Sequence, residues 1–363
     1  MVRFVHALDG DARPADAATL TPRFSKRRPR HLVVMLAAFS KTTVALVYRL
    51  NRHAVRTKGI KMRRLLAFAA MLVATPSVAQ DPAPQAAARY ASIPLWPNGA
   101  PGSTARRGEA EVGRDYWVRN IHDPSLIAFP AAPAHRNGAA MVVIPGGGHK
   151  LLVWTNEGTK VATALNRMGM TAFVLKYRLA NEPGSSYSVE GDAADDARRA
   201  LRWVRAHAVE YGIDPARVGA MGFSAGGELV SLIADNPEPT GRPVVDMIDR
   251  QSARPDFQVL VFPGPRGIPA TAMATAPPAF LVAGSRDPCC AAPTVALYEQ
   301  LRKAGVAAEL HMYADSGHAF NLDESDRISI LHWPDRLNDW LTDSGWLSPK
   351  AVPESAAESP RRK

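Results

Sequence analysis

The sequence predicts an α/β fold, with a mostly parallel central sheet and helices on both faces in a single domain. Short apolar runs alternate with amphipathic segments from residue 90 to residue 348, which is the pattern of successive βαβ units. The apolar runs, for example residues 139–145, are continuously hydrophobic, as strands buried on both faces are. No internal repeat is visible in this region, and its length suits one domain. A doubly wound sheet therefore accounts for all of it.

Each element follows from its own spacing of apolar residues. The first apolar run is followed by others that predict strands at residues 171–177, 217–223, 257–262, 279–283 and 308–313. Apolar residues at helical spacing predict helices at residues 157–168, 191–211, 225–234, 294–304 and 334–341. The longest of these helices carries Ala194, Ala197 and Leu201 on one face, which indicates the side that packs on the sheet.

Composition excludes several classes of protein. The chain is 46% hydrophobic, which is too apolar for general disorder. It has 44 Lys and Arg against 34 Asp and Glu, a balance that would suit a nucleic-acid-binding protein. Residues 1–79, however, hold 15 of the basic and 3 of the acidic residues, which leaves 29 against 31 in the rest. The composition therefore predicts no nucleic-acid partner, and two cysteines are too few for a disulfide-rich scaffold or a cysteine-based zinc module.

Residues 62–79 have the pattern of a secretory signal peptide. Basic residues lie from Lys61 to Arg64, an apolar run follows, and small residues precede a cleavage site at Ala79–Gln80. The run holds about ten residues, whereas a membrane span needs about 20. The pattern therefore predicts a secreted or periplasmic protein without a membrane span in the mature chain. The alternative interpretation is a short buried helix.

The predicted signal peptide also determines the other segment boundaries expected along the chain. Translation is expected to begin at Met62, and a long leader with a possible anchor at residues 31–39 is the alternative. The predicted organisation is an over-extended N-terminus or leader at 1–61, the signal peptide at 62–79, a linker at 80–92, the α/β domain at 93–348 and a disordered tail at 349–363.

A candidate nucleophile lies between a predicted strand and a predicted helix. Residues 222–226 read Gly-Phe-Ser-Ala-Gly and fit the pattern G-x-S-x-G. A serine on such a tight turn needs glycine two places before and after it, because a side chain there would clash. Ser224 would also lie at a helix N-terminus, where backbone N–H groups stabilise an oxyanion. The alternative is an ordinary glycine-rich turn.

A serine nucleophile needs a histidine base and an acid, in the chain order Ser, Asp or Glu, His. Asp287 and His318 each follow a predicted strand, so both should reach the sheet edge that carries Ser224. We expect His318 to take the proton of Ser224, and Asp287 to orient His318. Asp315 is the alternative acid.

Other polar residues receive structural interpretations. Asp195 and Asp196 lie in the long predicted helix and are expected to face solvent or to cap a neighbour. Cys289 and Cys290 are neighbours, and the favoured interpretation is two reduced loop cysteines. An oxidising compartment leaves a disulfide between them open.

The second part of an oxyanion hole should follow an early strand. Residues 144–149 read Ile-Pro-Gly-Gly-Gly-His directly after the first long apolar run. The predicted donors are the N–H groups of Gly147 or Gly148, together with that of Ala225. A phosphate-binding loop is not indicated, because the run lacks both a G-K-[ST] ending and the G-x-G-x-x-G spacing.

These motifs together resemble the α/β-hydrolase superfamily, and within it bacterial esterases of the acetyl-xylan esterase or feruloyl/acetyl-xylan esterase-like type. The resemblance covers residues 93–343. The matching segments are 95–102 (LWPNGAPG), 145–149 (PGGGH), 157–158 (EG), 174–179 (VLKYRL), 214–215 (DP), 222–227 (GFSAGG) and 317–318 (GH). The resemblance implies the α/β-hydrolase fold, a Ser-His-Asp triad and no metal or cofactor.

The resemblance also implies a substrate class, namely acetylated plant-polysaccharide sugars or oligosaccharides. The chain departs from the family beside the expected acyl pocket: His149 replaces an aromatic residue, and Cys289-Cys290 replace the usual Val-Val after the acid. His149, Trp154, Tyr187 and Phe320 are candidate pocket walls. The alternatives are an esterase for lipid, antibiotic or other small acyl esters, a prolyl-oligopeptidase-type peptidase, and a carbohydrate-binding protein. The sequence leaves the oligomeric state open.

Overall fold

The computed structural model describes residues 91–241, 244–323 and 325–348. All of them belong to the second of two compact units, Gln80–Lys363. The segments expected to form the leader, the signal peptide and the C-terminal tail lie outside the described residues, as does most of the expected linker.

The described residues form one eight-stranded sheet and one two-stranded hairpin. The strands are β1 (Ser92–Pro94), β2 (Val112–Arg114), β3 (Trp117–Arg119), β4 (Ser125–Phe129), β5 (Ala140–Ile144), β6 (Thr171–Lys176), β7 (Val218–Phe223), β8 (Gln258–Val261), β9 (Ala279–Gly284) and β10 (Ala308–Tyr313). The sheet order is β1-β4-β6-β5-β7-β8-β9-β10, and β2 pairs with β3. Six neighbouring strands of this sheet are mutually parallel, namely β6, β5, β7, β8, β9 and β10. Within the eight-stranded sheet, only the pairs β1–β4 and β4–β6 are antiparallel. The predicted mostly parallel sheet is therefore confirmed.

Helices connect the parallel strands. They are α1 (Lys160–Arg167), α2 (Ala194–Ala206), α3 (Ala208–Tyr211), α4 (Ala225–Ala234), α5 (Ala291–Lys303), α6 (Ile328–Leu331) and α7 (Trp333–Asp343). Single π-helical turns, Thr155–Thr159 and Val189–Ala193, lead into α1 and α2. None of the helices in the described part of the chain is long and apolar enough to cross a membrane.

Two helix predictions need correction. The helix predicted at residues 191–211 is interrupted at His207, whose φ is −106°. There the imidazole stacks on the ring of Trp203 at 3.8 Å and hydrogen-bonds to its carbonyl oxygen. The helix predicted from residue 294 begins at Ala291, because Pro293 is tolerated within a first turn.

The N-terminal strands were not predicted. β1 is only three residues long and ends in Pro94 at the edge of the sheet, and it begins at Ser92, one residue before the predicted domain boundary. The five residues of β4 follow a loop and lie antiparallel between β1 and β6. β1 is too short to carry an identifying apolar run. β4 does carry one, Leu126–Phe129, so this strand was missed although its pattern resembles that of β5.

The sheet centre is the core of the domain. Every residue of β5, β7, β8 and β9 is buried, which agrees with the continuous apolar runs of the sequence. Because these strands are parallel, their carboxyl ends meet at one edge of the sheet, where ligands bind in open α/β folds. The turns that follow β5, β7, β9 and β10 carry the residues singled out from the sequence.

Candidate active site

Ser224 lies on a strained turn between β7 and α4. Its φ and ψ are 48° and −115°, and its N–H donates to the carbonyl oxygen of Val261 at 3.0 Å. A Cβ on Gly222 would lie under 3.0 Å from the backbone of Gly226, and one on Gly226 would lie under 3.0 Å from the carbonyl of Ile144. The expected reason for glycine at both positions is therefore confirmed. The turn presents the serine side chain at the carboxyl edge of the sheet.

A chain of hydrogen bonds joins Ser224, His318 and Asp287. Ser224 Oγ lies 3.0 Å from His318 Nε2, and His318 Nδ1 lies 2.6 Å from Asp287 Oδ2. An ionised carboxylate only accepts hydrogen bonds, so Nδ1 carries the proton and Nε2 is free to accept from the serine hydroxyl. The structure thus brings the three residues together in the order that a serine nucleophile requires.

The carboxylate of Asp287 is buried and held from two sides. Its Oδ1 accepts hydrogen bonds from the backbone N–H groups of Cys289 at 2.9 Å and Cys290 at 3.0 Å. The Asp287 side chain has no exposed surface, whereas that of His318 is 33% exposed. These contacts fix which oxygen faces the imidazole.

The cysteines and the other acidic residues differ from expectation. Cys289 and Cys290 form a disulfide, so the favoured interpretation of two reduced cysteines is wrong for this structure. Asp196 is fully buried against Arg178, which corrects the expectation that it faces solvent or merely caps a neighbour. Asp195 pairs with Arg198 on the same helix.

Asp315, the alternative acid, pairs with an arginine and not with His318. Its carboxylate pairs with Arg286 at 2.6 Å, and both side chains are more than half exposed. The structure therefore pairs Asp287, and not Asp315, with His318.

The glycine turn after β5 packs directly on the nucleophile turn. A Cβ built on Gly146 would lie 3.0 Å from Ser224 Cβ, so the two backbones approach closely here. Gly147 and Gly148 have φ angles of 123° and 65°, which turn the chain sharply. The N–H groups of Gly147, Gly148 and Ala225 find no protein acceptor among the described residues.

Glu157 lies beneath this turn, and sequence reasoning gave it no role. Its Oε2 accepts the N–H of Gly146 at 2.7 Å, and only 3% of the residue is exposed. Burial raises the pKa of its carboxyl to about 7, against the opposing effect of that hydrogen bond. In the sequence, Glu157-Gly158 is distinguished only by its match to the esterase family.

The candidate pocket walls are all buried. Phe320 packs on Phe262 with ring centroids 5.0 Å apart, and Phe262 packs in turn on the His318 ring at 4.9 Å. His149 follows the glycine turn, and its Nε2 lies 2.9 Å from Glu228 Oε2. Phe320 is thus linked to His318 through the ring of Phe262. His149 contacts Glu228, which lies on the helix that follows Ser224.

The other two candidates have partners elsewhere. Trp154 stacks under the ammonium of Lys176, 5.2 Å from the ring centroid. Tyr187 hydrogen-bonds to Nδ1 of His122 at 2.8 Å. Both side chains are therefore held by these contacts within the packed interior.

This architecture is that of the α/β-hydrolases. The mostly parallel sheet carries a serine on a strand-to-helix turn, with the acid and the histidine after later strands. Comparison with known proteins agrees with this fold, because solved esterase structures and one family model match the chain. Residues 127–253 match the family model BD-FAE.

Two of the named relatives are an esterase and a carboxylic ester hydrolase. The acetylxylan esterase of Xylanibacter ruminicola is 30% identical over 234 residues, which are 58% of this chain and 47% of the relative. A probable carboxylic ester hydrolase of Mycobacterium tuberculosis is 30% identical over 48% of this chain and 43% of its own length. The chain thus spans less than half the length of these curated relatives.

Solved structures give the same class. An acetyl ester-xyloside bifunctional hydrolase from Caldicellulosiruptor lactoaceticus superposes with a TM-score of 0.58 at 26% identity, covering 71% of this chain and 97% of its own. A thermophilic esterase from Thermogutta terrifontis superposes with a TM-score of 0.55 at 25% identity, covering 64% and 91%. The fold is therefore shared over nearly the whole length of both enzymes.

Proposed function

We propose that the protein is a serine carboxylesterase that removes short acyl groups, acetyl in particular, from acetylated sugars or hemicellulose. The proposal rests on the hydrogen bonds that join Ser224 to His318 and His318 to Asp287. Together these residues supply a nucleophile, a base and an acid that orients the base. The acetylated, xylose-containing substrate is supported by the similarity to the acetylxylan esterase of Xylanibacter ruminicola and to the acetyl ester-xyloside bifunctional hydrolase of Caldicellulosiruptor lactoaceticus. The domain that carries this activity is residues 93–348.

Acylation begins at the serine hydroxyl. His318 Nε2 takes the proton of Ser224 as Oγ attacks the ester carbonyl, and Asp287 stabilises the resulting imidazolium through Nδ1. The tetrahedral intermediate places a negative charge on the former carbonyl oxygen. His318 then gives its proton to the leaving sugar oxygen, and the acyl group stays on Ser224.

The oxyanion is held by backbone N–H groups. Ala225 follows the nucleophile at the N-terminus of α4, and Gly147 and Gly148 approach from the turn after β5. Their N–H groups are not used by other protein acceptors among the described residues, so they are available to a substrate oxygen. Fixed donors of this kind stabilise the charge that develops in the transition state without reorganisation.

Deacylation repeats the same steps with water. His318 removes a proton from a water molecule that attacks the acyl-enzyme, and then returns it to Ser224 Oγ as the acid is released. The substrate reaches the site from solvent, since His318 is partly exposed. A signal peptide at residues 62–79 would bring the enzyme to polysaccharide outside the cytoplasm, in the periplasm or the medium.

The test compares the full-length wild type with Ser224→Ala and Ser231→Ala. Ser231 is a matched control: it lies on the same helix, is buried, and its hydroxyl has no partner among the described residues. Acetate release from acetylated xylan and hydrolysis of p-nitrophenyl acetate are measured in parallel. We expect the wild type and Ser231→Ala to act on both substrates, and Ser224→Ala to lose at least about a thousandfold in rate.

The two substrates separate the parts of the proposal. Activity on p-nitrophenyl acetate without acetate release from xylan keeps the serine esterase and overturns the polysaccharide substrate. Equal activity of Ser224→Ala and wild type overturns the nucleophile. A wild type that hydrolyses neither ester overturns the esterase.

A further inference from the structure

Four potential metal ligands converge at the proposed triad, two of them members of it. They are Asp287, Cys289, Cys290 and His318, and one ligand atom of each lies within 4.8 Å of those of the other three. Ligand atoms about 2.0–2.3 Å from a tetrahedral zinc ion lie within roughly 4 Å of one another. The four donors are thus already gathered at close to the spacing that a single ion requires.

The redox state of the cysteines decides whether this donor set exists. In the disulfide, the two sulfurs are bonded to each other and offer no thiolate. A thiol or phosphine reductant supplies two electrons, two protons are taken up, and the S–S bond is replaced by two S–H groups. A divalent cation that binds both sulfurs then displaces those two protons.

The reduced donor set suits a thiophilic ion. Two thiolates, an imidazole and a carboxylate are ligands that Zn²⁺ accepts in tetrahedral sites, and thiolates select it over Mg²⁺ and Ca²⁺. Cys289 and His318 are exposed, whereas Cys290 and the Asp287 carboxylate are buried. The cluster therefore has an open side by which an ion can enter, and a buried side that shields it from water.

The turn itself orients the ligands. Asp287 Oδ1 accepts the backbone N–H groups of both cysteines, which keeps the carboxylate against the Cys289–Cys290 pair. Asp287 Oδ2 holds His318 through Nδ1. Hydrogen bonds that fix the orientation of ligands in this way preorganise a metal site.

We propose that the reduced protein binds one thiophilic divalent cation, of the Zn²⁺ or Cd²⁺ type, at Cys289, Cys290, His318 and Asp287, and that the bound ion switches off the active site. The inhibitory part rests on the proposed function, because it assigns His318 and Asp287 to the reaction. Coordination at Nε2 removes the acceptor for the Ser224 proton, and coordination at Nδ1 separates the imidazole from Asp287. In either geometry the base is lost. The disulfide is then the state that protects the enzyme from such ions.

The experiment uses the full-length protein in two redox states. One sample is reduced with a phosphine and desalted without oxygen, and the other is oxidised to the disulfide. Zn²⁺ is added, and bound metal is counted after desalting. Cd²⁺ is added in a parallel sample, where thiolate coordination gives an ultraviolet charge-transfer absorption. The rate on p-nitrophenyl acetate is compared with the rate of the same sample before metal, and again after a chelator.

We expect the reduced wild type to hold one Zn²⁺ per chain, to show the cadmium–thiolate absorption, and to lose most of its rate until the chelator restores it. The oxidised sample should show none of these changes. Cys289→Ser and Cys290→Ser, each compared with its own metal-free rate, should lose both the absorption and the inhibition. If the variants do not fold, alkylation of the thiols of the reduced wild type takes their place.

Binding and rate are separate measurements, so the two proposals fail separately. Stoichiometric Zn²⁺ and cadmium absorption without any change in rate overturn the inhibition and keep the site. Absence of thiol-dependent metal in the reduced protein, or equal inhibition of oxidised and reduced samples, overturns the site. If no form of the protein hydrolyses the ester, the esterase proposal has failed, and the metal count and the absorption still decide whether the site exists.

Discussion

The carboxylate of Glu157 accepts the backbone N–H of Gly146 at 2.7 Å, and Gly146 lies directly against Ser224. A Cβ on this glycine would be 2.9 Å from Glu157 Oε2 and 3.0 Å from Ser224 Cβ. The buried carboxylate thus holds the backbone from which Gly147 and Gly148, the proposed oxyanion donors, extend. Glu157 is therefore a positioning residue, because it acts on the site through the glycine turn.

We expect Glu157→Ala to reduce kcat by about 10- to 100-fold with little change in KM, since an unpaired buried N–H costs about 1–3 kcal/mol and loosens the turn. Glu157→Gln keeps an oxygen acceptor for Gly146 and should recover most of this loss. The measurement is steady-state kinetics on p-nitrophenyl acetate, with the melting temperature of each variant beside it. Equal kcat for the Ala and Gln variants, or a loss confined to KM, would contradict the positioning role.

A second buried carboxyl predicts how stability depends on pH. Asp235 is fully buried, and burial raises the pKa of its carboxyl to about 7, although the Gln258 side chain donates to it at 2.7 Å. In the unfolded chain the same group ionises near pH 4. The folded state therefore holds the proton more tightly. The stability this provides is complete below about pH 4 and is lost as the pH rises to about 7.

We expect Asp235→Asn to remove this dependence. Between pH 4.5 and 8 the free energy of unfolding of the variant should rise relative to that of the wild type, by up to a few kcal/mol. Urea unfolding at several pH values measures the difference. Glu157 contributes with the same sign, so the double variant with Glu157→Gln should have a still flatter profile. Parallel pH profiles for wild type and Asp235→Asn would show that the buried carboxyl has an ordinary pKa.

The sequence was sufficient for the parts of the molecule that depend on local patterns. The buried parallel strands have continuous apolar runs, and Ser224 lies on a turn whose glycines are required by close backbone approach. Asp287 and His318 could be placed near Ser224 because parallel strands end at one sheet edge. Long-range partners could not be found in this way. The burial of Asp196 depends on Arg178, and the position of Glu157 depends on a backbone N–H eleven residues earlier.

The glycine of the nucleophile turn gives a third prediction. A Cβ on Gly226 would collide with the carbonyl of Ile144, which belongs to a buried backbone that cannot move aside. We expect Gly226→Ala to lower the melting temperature and to abolish activity, because β5 and α4 must separate. Gly317→Ala is the matched control, since no atom lies within 4 Å of the Cβ it would add. A similar melting temperature for both variants would contradict the close approach.

The last prediction concerns the acid, and it follows from how each carboxylate oxygen of Asp287 is used. Oδ1 accepts two backbone N–H groups, from Cys289 and Cys290, whereas Oδ2 accepts from His318 Nδ1. In Asp287→Asn, the single amide oxygen is best placed against the two N–H groups. The amide NH₂ then faces His318, and Nδ1 has to accept a hydrogen bond.

That exchange moves the imidazole proton to Nε2, the atom that accepts the proton of Ser224 in the proposed mechanism. Asp287→Asn should therefore lower kcat by about 10³- to 10⁴-fold while the fold remains intact. Asp315→Asn should leave the rate nearly unchanged, because the Asp315 carboxylate is exposed and paired with Arg286. Rates on p-nitrophenyl acetate and circular dichroism spectra of both variants provide the comparison. A large loss for Asp315→Asn beside an active Asp287→Asn would move the role of the acid to Asp315, and with it the histidine orientation on which the proposed mechanism depends.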